Sequence, residues 1–390
     1  MAPVKVAAVQ VASAAFDLAG SLSKFIDYCR EAAEEGARLA VFPEAFLSAY
    51  PRHLEFKVGA RTDENRTWYR KYVELSVRVP DGSEGVDWLQ TDEAEAVTRE
   101  GDDFYAFKLI LGNAQINNLN LSVGIIERSL TGATLWCTNL IVSDKGILLG
   151  LSAFLSPSSP FLPPLPPRCL LFPLLSLHPA VRTQDSHPRA RAAGRHRKLI
   201  PTAAERVVWA SSSLTNPPQA IDSPHPPTDN LPVVPTSVGR VGGVICWEHF
   251  NALTRYALYR KDVQVWVAPT ADARPTWAPS MQFIAQEGRC FVVSANQFQR
   301  AADFPEDYPY RVARAAAGEG GDGPDEVWSR GGSCIVNPLG EILAGPLWDR
   351  EGIVCAEIDV DDILGYKLDM DGAGSAHYAR EDLFHFALRT

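Results

Sequence analysis

Positive charge is scarce in this chain: 37 Lys and Arg stand against 47 Asp and Glu, a formal net charge of −10. That balance argues against nucleic acid or an anionic membrane surface as a partner. The one dense basic cluster, His196-Arg197-Lys198, is too short and too mixed with Leu199 and Ile200 to read as a nucleic-acid patch. The seven cysteines are odd in number and lack the paired or Cys/His spacing of a disulfide framework or a zinc site. They fit a reducing compartment, and nothing in their spacing calls for a metal. Long apolar runs are also missing. Met1-Ala2-Pro3-Val4-Lys5 leads directly into a strand without a secretory segment, so a cytoplasmic protein is expected. The apolar stretch Leu170 to Leu177 is broken by Pro173 and preceded by Arg168, which excludes a membrane span there. With 390 residues, 46% of them hydrophobic, the chain can still bury a sizeable core.

What is present is an alternation of short apolar strands with helical stretches, which reads as α/β. The strands expected are Val4–Val11, Leu39–Phe42, Leu121–Ile126, Leu135–Val142, Val241–Cys246, Val263–Ala268, Phe291–Ala295, Ser333–Asn337 and Gly352–Ile358. Leu18 to Ala37 forms an amphipathic helix, with Phe25, Ile26, Cys29 and Ala33 on one face. Cys246 falls where an apolar strand gives way to apolar residues at helical spacing (Ala252, Leu253, Tyr256, Ala257). A thiol at the positive end of a helix dipole is biased toward the nucleophilic thiolate. Glu44 follows Leu39-Ala40-Val41-Phe42-Pro43, at the end of a buried strand whose ladder Pro43 closes. Burial there should raise its pKa into the range of a general base. Lys198 abuts Leu199-Ile200-Pro201, and Glu205 follows seven residues on, two helical turns or one loop and one turn away. Taken alone, each of these side chains is equally readable as packing or as a solvated charge.

Together they resemble one family. Phe42-Pro43-Glu44-Ala45-Phe46 with Tyr50-Pro51, then His196-Arg197-Lys198-Leu199-Ile200-Pro201-Thr202, then Cys246-Trp247-Glu248 are similar to the three signature segments of the nitrilase superfamily of carbon–nitrogen hydrolases. The segments Ala268 to Arg274 and Glu287 to Gln297 resemble its nitrilase branch. The resemblance runs from Val4 to about Phe386 and implies one catalytic domain with the four-layer αββα sandwich. It implies a nitrilase: Cys246 attacks the nitrile carbon to give a thioimidate, Glu44 acts as base, and Lys198 stabilises charge on nitrogen. Glu205 would orient the lysine, and the backbone N–H of Trp247 would add a donor. Tyr50, Trp247, Thr270, Ala271 and Trp277 flank the motif residues and are candidate pocket walls for a small nitrile. No metal or organic cofactor is implied. A homo-oligomer is, as a dimer or larger spiral, through the stripe Phe250, Leu253, Tyr256 and Leu258. A nitrile or cyanide hydratase and an amidase are alternatives on the same Glu-Lys-Cys site, as is an impaired paralogue. The other six cysteines are read as structural or incidental.

Residues 151–195 depart from the family, which has a tight hairpin between the strand ending near Val142 and the lysine segment. Nine prolines and a single acidic residue, Asp185, fall between Leu151 and Arg195. Such proline density forbids helix and central strand. Three origins stay open: a recognition loop built on Pro163-Pro164-Leu165-Pro166-Pro167, an inert surface loop, or translated non-coding sequence such as a retained intron. Thr98 to Asn118 and Ser211 to Asn230 also read as enlargements. The expected cost is a disturbed Lys198 and poor expression.

Overall fold

The computed structural model describes residues 2–54, 56, 58–150, 191–192, 194–217, 228–318, 323–373, 378–380 and 382–388. Most of the proline-rich stretch, 151–190 and 193, lies outside them, so its origin does as well.

The strands alternate, and both faces are buried. In β1 (Val4–Gln10), Val6 and Ala8 face one apolar cluster while Ala7 and Val9 face another. In β2 (Ala37–Val41), Leu39 and Val41 share the first cluster and Ala40 the second. A strand buried on both faces must lie between two layers. These strands belong to a six-stranded sheet with β3 (Asn120–Arg128), β4 (Leu135–Val142), β6 (Arg195–Arg197) and β16 (Gly352–Ile358), in the order β16-β1-β2-β3-β4-β6. The second sheet runs β13-β14-β12-β11-β10-β9, with β15 added beside β14. Its members are β9 (Val233–Thr236), β10 (Gly239–Gly243), β11 (Val265–Pro269), β12 (Phe291–Ala295), β13 (Phe298–Arg300), β14 (Val327–Val336) and β15 (Ile342–Trp348). A small third sheet joins β5 (Arg191–Ala192), β8 (Thr228–Asp229) and β7 (Thr215–Asn216).

Val6, Leu39 and Val41 pack against Val241, Val265, Val267 and Val293, which is sheet on sheet. The opposite face of the first sheet is covered by α1 (Leu18–Glu34) and α4 (Tyr105–Ile116) through Phe25, Cys29, Phe107 and Ile110. Outside the second sheet lie α5 (Ala252–Tyr259) and α6 (Trp277–Gly288), through Leu258, Met281 and Ile284 against Trp266 and Val292. The result is the four-layer αββα sandwich. The remaining helices, α2 (Asp63–Glu74), α3 (Asp92–Ala96), α7 (Pro309–Ala316) and α8 (Asp362–Tyr366), decorate its rim.

Two expectations are corrected. The segment Thr98 to Asn118 is no appended loop: α4 carries buried Ala106, Phe107, Ile110, Leu111 and Ala114 into the same core as α1. The stripe after Cys246 is divided. Phe250 and Leu253 are exposed, whereas Leu258 is fully buried and Tyr256 meets Phe386 edge-on at 4.9 Å.

Candidate active site

Glu44, Lys198 and Cys246 come together at one end of the sandwich from three different strand ends. The chain leaves β2 at Val41, Phe42 N–H still donates to Ser122 O at 2.8 Å, and Pro43 then ends the ladder. Gly124 of β3 lets this turn close in, since a Cβ at that position would sit 2.1 Å from Pro43 O and 2.9 Å from Glu44 Cα. Gln297 Nε2 donates to Glu44 O at 2.7 Å and fixes the backbone from the second sheet. Lys198 follows β6, which pairs antiparallel with β4 through Arg197 and Thr138, and its own N–H donates to Cys137 O at 2.8 Å. Cys246 lies three residues past β10 and opens a 3₁₀ turn, Cys246–Phe250, with φ +51°. A non-glycine residue in the left-handed region carries strain of about 1–3 kcal/mol, held here by the surrounding packing.

The lysine organises the cluster. Its Nζ donates to Glu44 Oε1 at 2.6 Å and to Glu205 Oε2 at 2.8 Å, and it is fully buried. Glu205 sits in a 3₁₀ turn (Ala203–Val207) whose capping box with Thr202 also binds its Oε2, so the seven-residue spacing is bridged by a loop and a turn. Tyr50 Oη donates to Glu205 Oε1 at 2.8 Å. Trp209 closes the ring, its face 5.5 Å from Lys198 Nζ and its edge toward Tyr50. Glu44 Oε1 receives Lys198, and the Cys137 thiol approaches it at 3.6 Å. Glu44 Oε2 is buried with no hydrogen-bond partner among the described residues.

The electrostatics follow from burial. Desolvation raises the Glu44 carboxyl above its ordinary 4.5, with Lys198 pulling the other way and Glu205 adding to the rise. Burial and then the Glu44 charge also push the Cys246 thiol up. Lys198 is pushed down by desolvation but held well above its usual value by Glu44, Cys246 and Glu205. The expectation of a dipole-stabilised thiolate is thereby corrected. The true helix, α5, begins six residues after Cys246, and the thiol stays protonated at rest. It needs a base, and Glu44 carries an unpartnered buried oxygen.

Of the predicted walls, Tyr50, Trp247 and Ala271 line a cavity of about 470 Å³ together with Cys246, Glu205, Arg52 and Trp328. Thr270 is fully buried and donates its hydroxyl to Cys246 Sγ at 3.3 Å, so it touches the thiol itself. Trp277 is core: it is buried, and its indole N–H donates to Ser294 Oγ at 2.9 Å. A larger cleft of about 590 Å³, lined by Asp17, Arg78, Asp103 and Arg128, contains none of the predicted residues. Sequence reasoning gave Glu248 no role, although it stands in the Cys246-Trp247-Glu248 motif. Buried, it accepts from His196 Nε2, Leu199 N–H and Ile245 N–H at 2.7–2.8 Å, tying the lysine segment to the cysteine segment. Cys137, read as structural or incidental, adjoins the Glu44–Lys198–Glu205 cluster, and Gln297 carried no sequence signal. Among the described residues, no group of three or more His, Cys, Asp or Glu side chains could hold a metal ion, and no helix is long and apolar enough to cross a membrane.

The carbon–nitrogen hydrolase family model matches residues 5–157 and 183–367. The chain belongs to that family. Its relatives place it in the nitrilase branch. The arylacetonitrilase of Trametes versicolor is 34% identical across 99% of this chain and 97% of that protein. The aliphatic nitrilase of Sinorhizobium fredii is 35% identical across 98% and 95%, and nitrilase 2 of Arabidopsis thaliana 32% across 99% and 88%. Among solved structures, the Saccharomyces cerevisiae member of branch 10 of the nitrilase superfamily superposes with a TM-score of 0.57 at 15% identity, covering 96% of both chains. That likeness concerns the fold. The stretch skipped by the family match, 158–182, lies inside the proline-rich segment.

Proposed function

We propose that this hydrolase is a nitrilase that converts a nitrile and two waters to a carboxylic acid and ammonia, with Cys246 as nucleophile, Glu44 as base and Lys198 as electrostatic stabiliser. Glu44 Oε2 takes the thiol proton as Sγ adds to the nitrile carbon and passes it to the nitrile nitrogen, forming a thioimidate and leaving Glu44 ionised. Lys198 and the backbone N–H of Trp247 face the developing charge on nitrogen. Glu44 then deprotonates a water, which adds to the thioimidate carbon. Glu44 carries that proton and then the adduct's hydroxyl proton to nitrogen, so the tetrahedral adduct expels ammonia and leaves a thioester. A second water, activated in the same way, releases the acid and restores the thiol. Glu205 holds Lys198 and Tyr50 in place throughout.

The observation that supports this reading is the division of labour on Glu44: Oε1 is bound by Lys198, while Oε2 is buried and unpartnered in the same cluster as the thiol. The test is quantitation of ammonia, acid and amide from a panel of aliphatic and aryl nitriles, with Cys246→Ala as control. Equal ammonia and acid is expected, with no turnover in the variant and a Cys246-bound adduct by mass spectrometry in the active protein. Amide as the main product, or turnover of amides alone, overturns it.

We infer further that the enzyme is cytoplasmic and forms homo-oligomers. The six described cysteines are all free, which supports a reducing compartment, and fractionation of cells tests it. Trp247, Phe250, Leu253 and Phe283 are exposed around the cysteine turn, α5 and α6, which supports self-association there. Light scattering of wild type against Leu253→Asp tests that. The chain is taken as one catalytic domain with residues 151–195 as an insertion, best explained by retained non-coding sequence; a transcript encoding it continuously overturns that origin.

A further inference from the structure

The cavity that contains Cys246 is lined by three arginines, and only one lacks an acidic partner. Arg274 is paired with Asp272, and Arg330 with Asp349. Arg52 forms no ion pair among the described residues. Its guanidinium is held in place by neutral groups: Nε donates to Gln299 Oε1 at 2.8 Å and Nη2 to Ala271 O at 3.2 Å, while Tyr50 lies 5.4 Å beneath. Those contacts fix one edge of the fork and leave Nη1 without an acceptor among the described residues. A cation oriented by neutral partners in a partly buried cavity is set to bind an anion.

A second observation lies on the same wall. Gln299 and Ser329 are register partners across β13 and β14, so their side chains share a face. Gln299 Nε2 and Ser329 Oγ are both buried with no hydrogen-bond partner among the described residues, and Ser329 lines the cavity. Buried donors are normally satisfied. Here two unsatisfied donors lie on the strand pair whose Gln299 holds the Arg52 guanidinium, and Ser329 lines the same cavity as Arg52. The other acidic groups of the cavity are already occupied: Glu205 by Lys198, Tyr50 and Thr202, and Asp272 by Arg274 and Trp247.

We propose that Arg52, with Ser329 and Gln299 beside it, receives a carboxylate on the substrate, so that the preferred substrates are nitriles bearing a carboxylate. The inference rests on the nitrilase reading and names the substrate class for that same site. The planar fork suits a carboxylate bidentately, and the neighbouring hydroxyl and amide N–H complete its acceptor demand. The reaction itself is unchanged, and its product is a dicarboxylate.

The test compares kcat/KM for 3-cyanopropanoate with that for its methyl ester, using the full chain at low salt. In wild type the acid-to-ester ratio is expected above one and to fall as salt is added. In Arg52→Gln the ratio drops about 10–100-fold, the range for a hydrogen bond to a charged group, with Arg52→Lys between. Ser329→Ala lowers the same ratio by several-fold and covers the case in which Arg52→Gln does not fold. A wild-type ratio below one overturns the inference. So does an Arg52→Gln ratio equal to wild type while both absolute rates fall, since Arg52 would then be only a counter-charge to Glu44 and Glu205. Turnover of the ester alone removes this inference and leaves the nitrilase reading standing. No ammonia from either probe removes both.

Discussion

Replacing Glu44 by Gln should make the protein more stable and nearly inactive, and both effects follow from one feature. The carboxyl is fully buried, and desolvation holds its pKa above 4.5 despite the Lys198 contact. A raised carboxyl binds more protons in the folded state than in the unfolded one between 4.5 and its folded pKa. Stability therefore falls as pH rises from 4.5 through the raised pKa of the folded state. Each tenfold difference in proton affinity between the folded and unfolded states is worth about 1.4 kcal/mol. With about 2.1 cal/mol/K of unfolding entropy per residue over 390 residues, that energy moves Tm by about 1.7 °C. Glu44→Gln removes the charge, keeps an oxygen for Lys198 Nζ, and leaves Glu205 as the lysine's counter-ion. The Tm difference between variant and wild type should be near zero below pH 4.5 and grow toward neutrality. Activity moves the other way. The Cys246 thiol lies above its ordinary 9.0, so almost none is thiolate at neutral pH, and both additions of water also need the base. Loss of a general base costs about 10²–10⁴-fold per step. The assays are calorimetry across pH and ammonia release. A Tm difference independent of pH, or a variant within tenfold of wild-type kcat, refutes the reasoning.

Other consequences are equally specific. Gly124→Ala forces a Cβ against the Pro43 carbonyl and displaces Glu44; a shift of about 1 Å should cost on the order of a hundredfold in kcat, read by steady-state kinetics. His196→Gln removes a buried partner of Glu248. His196 is pushed down by burial but raised overall by Glu248, while Glu248 is pushed up by burial but lowered overall by His196. The His196 contribution is complete below 6.5 and lost as pH rises through its raised pKa. The Glu248 contribution is complete above 4.5 and lost as pH falls through its lowered pKa. Urea titrations should therefore find the largest loss, roughly 3 kcal/mol, between those values, and a loss constant with pH contradicts it. Glu127→Gln weakens the buried clasp on Arg195 and Arg197 and should cost roughly 3–5 kcal/mol by the same titration, with a fall in kcat because Lys198 is the next residue.

The layers were legible from local pattern, whereas the grouping of Glu44, Lys198 and Cys246 came from the family resemblance of three separate segments. Alternation in Val4–Val11 and the apolar run Leu39–Phe42 mark strands, and Pro43 marks where Glu44 leaves the ladder. The missed features depend on geometry that a one-dimensional pattern does not carry. The apolar spacing from Ala252 onward is a genuine helix, but nothing in it says that Cys246 precedes that helix in a strained 3₁₀ turn. Leu258 and Trp277 sit beside motif residues in sequence and point into the core. Cys137 meets Glu44 across 93 residues, and Gln297 reaches its carbonyl across 253. Thr98 to Asn118 resembled an insertion only because its apolar face was not matched to α1.

The site is assembled across the sandwich, which explains why the lysine can follow so atypical a segment. Glu44 and Lys198 follow strands of the first sheet and Cys246 follows one of the second, so the three meet only when the sheets pack. The lysine strand is held by many side-chain contacts from other parts of the chain. Arg195 pairs with Glu84 and Glu127, Arg197 pairs with Glu127 and covers the Trp136 face at 4.1 Å, and all three carboxylate and guanidinium groups around Glu127 are buried. Asn230 receives Arg197 N–H and donates to its carbonyl, while Asn216 donates to the Arg195 carbonyl. His196 is held between Asn230 and Glu248. These contacts come from the loop at Glu84, β3, β4, the 211–230 stretch and the cysteine turn. A disturbance entering from residue 190 would have to break several buried, mutually dependent bonds before it moved Lys198. The expectation of a displaced lysine therefore gives way to a different one: any penalty from the proline-rich stretch should fall on solubility and folding yield, and protein that does fold should carry an intact Glu-Lys-Cys site.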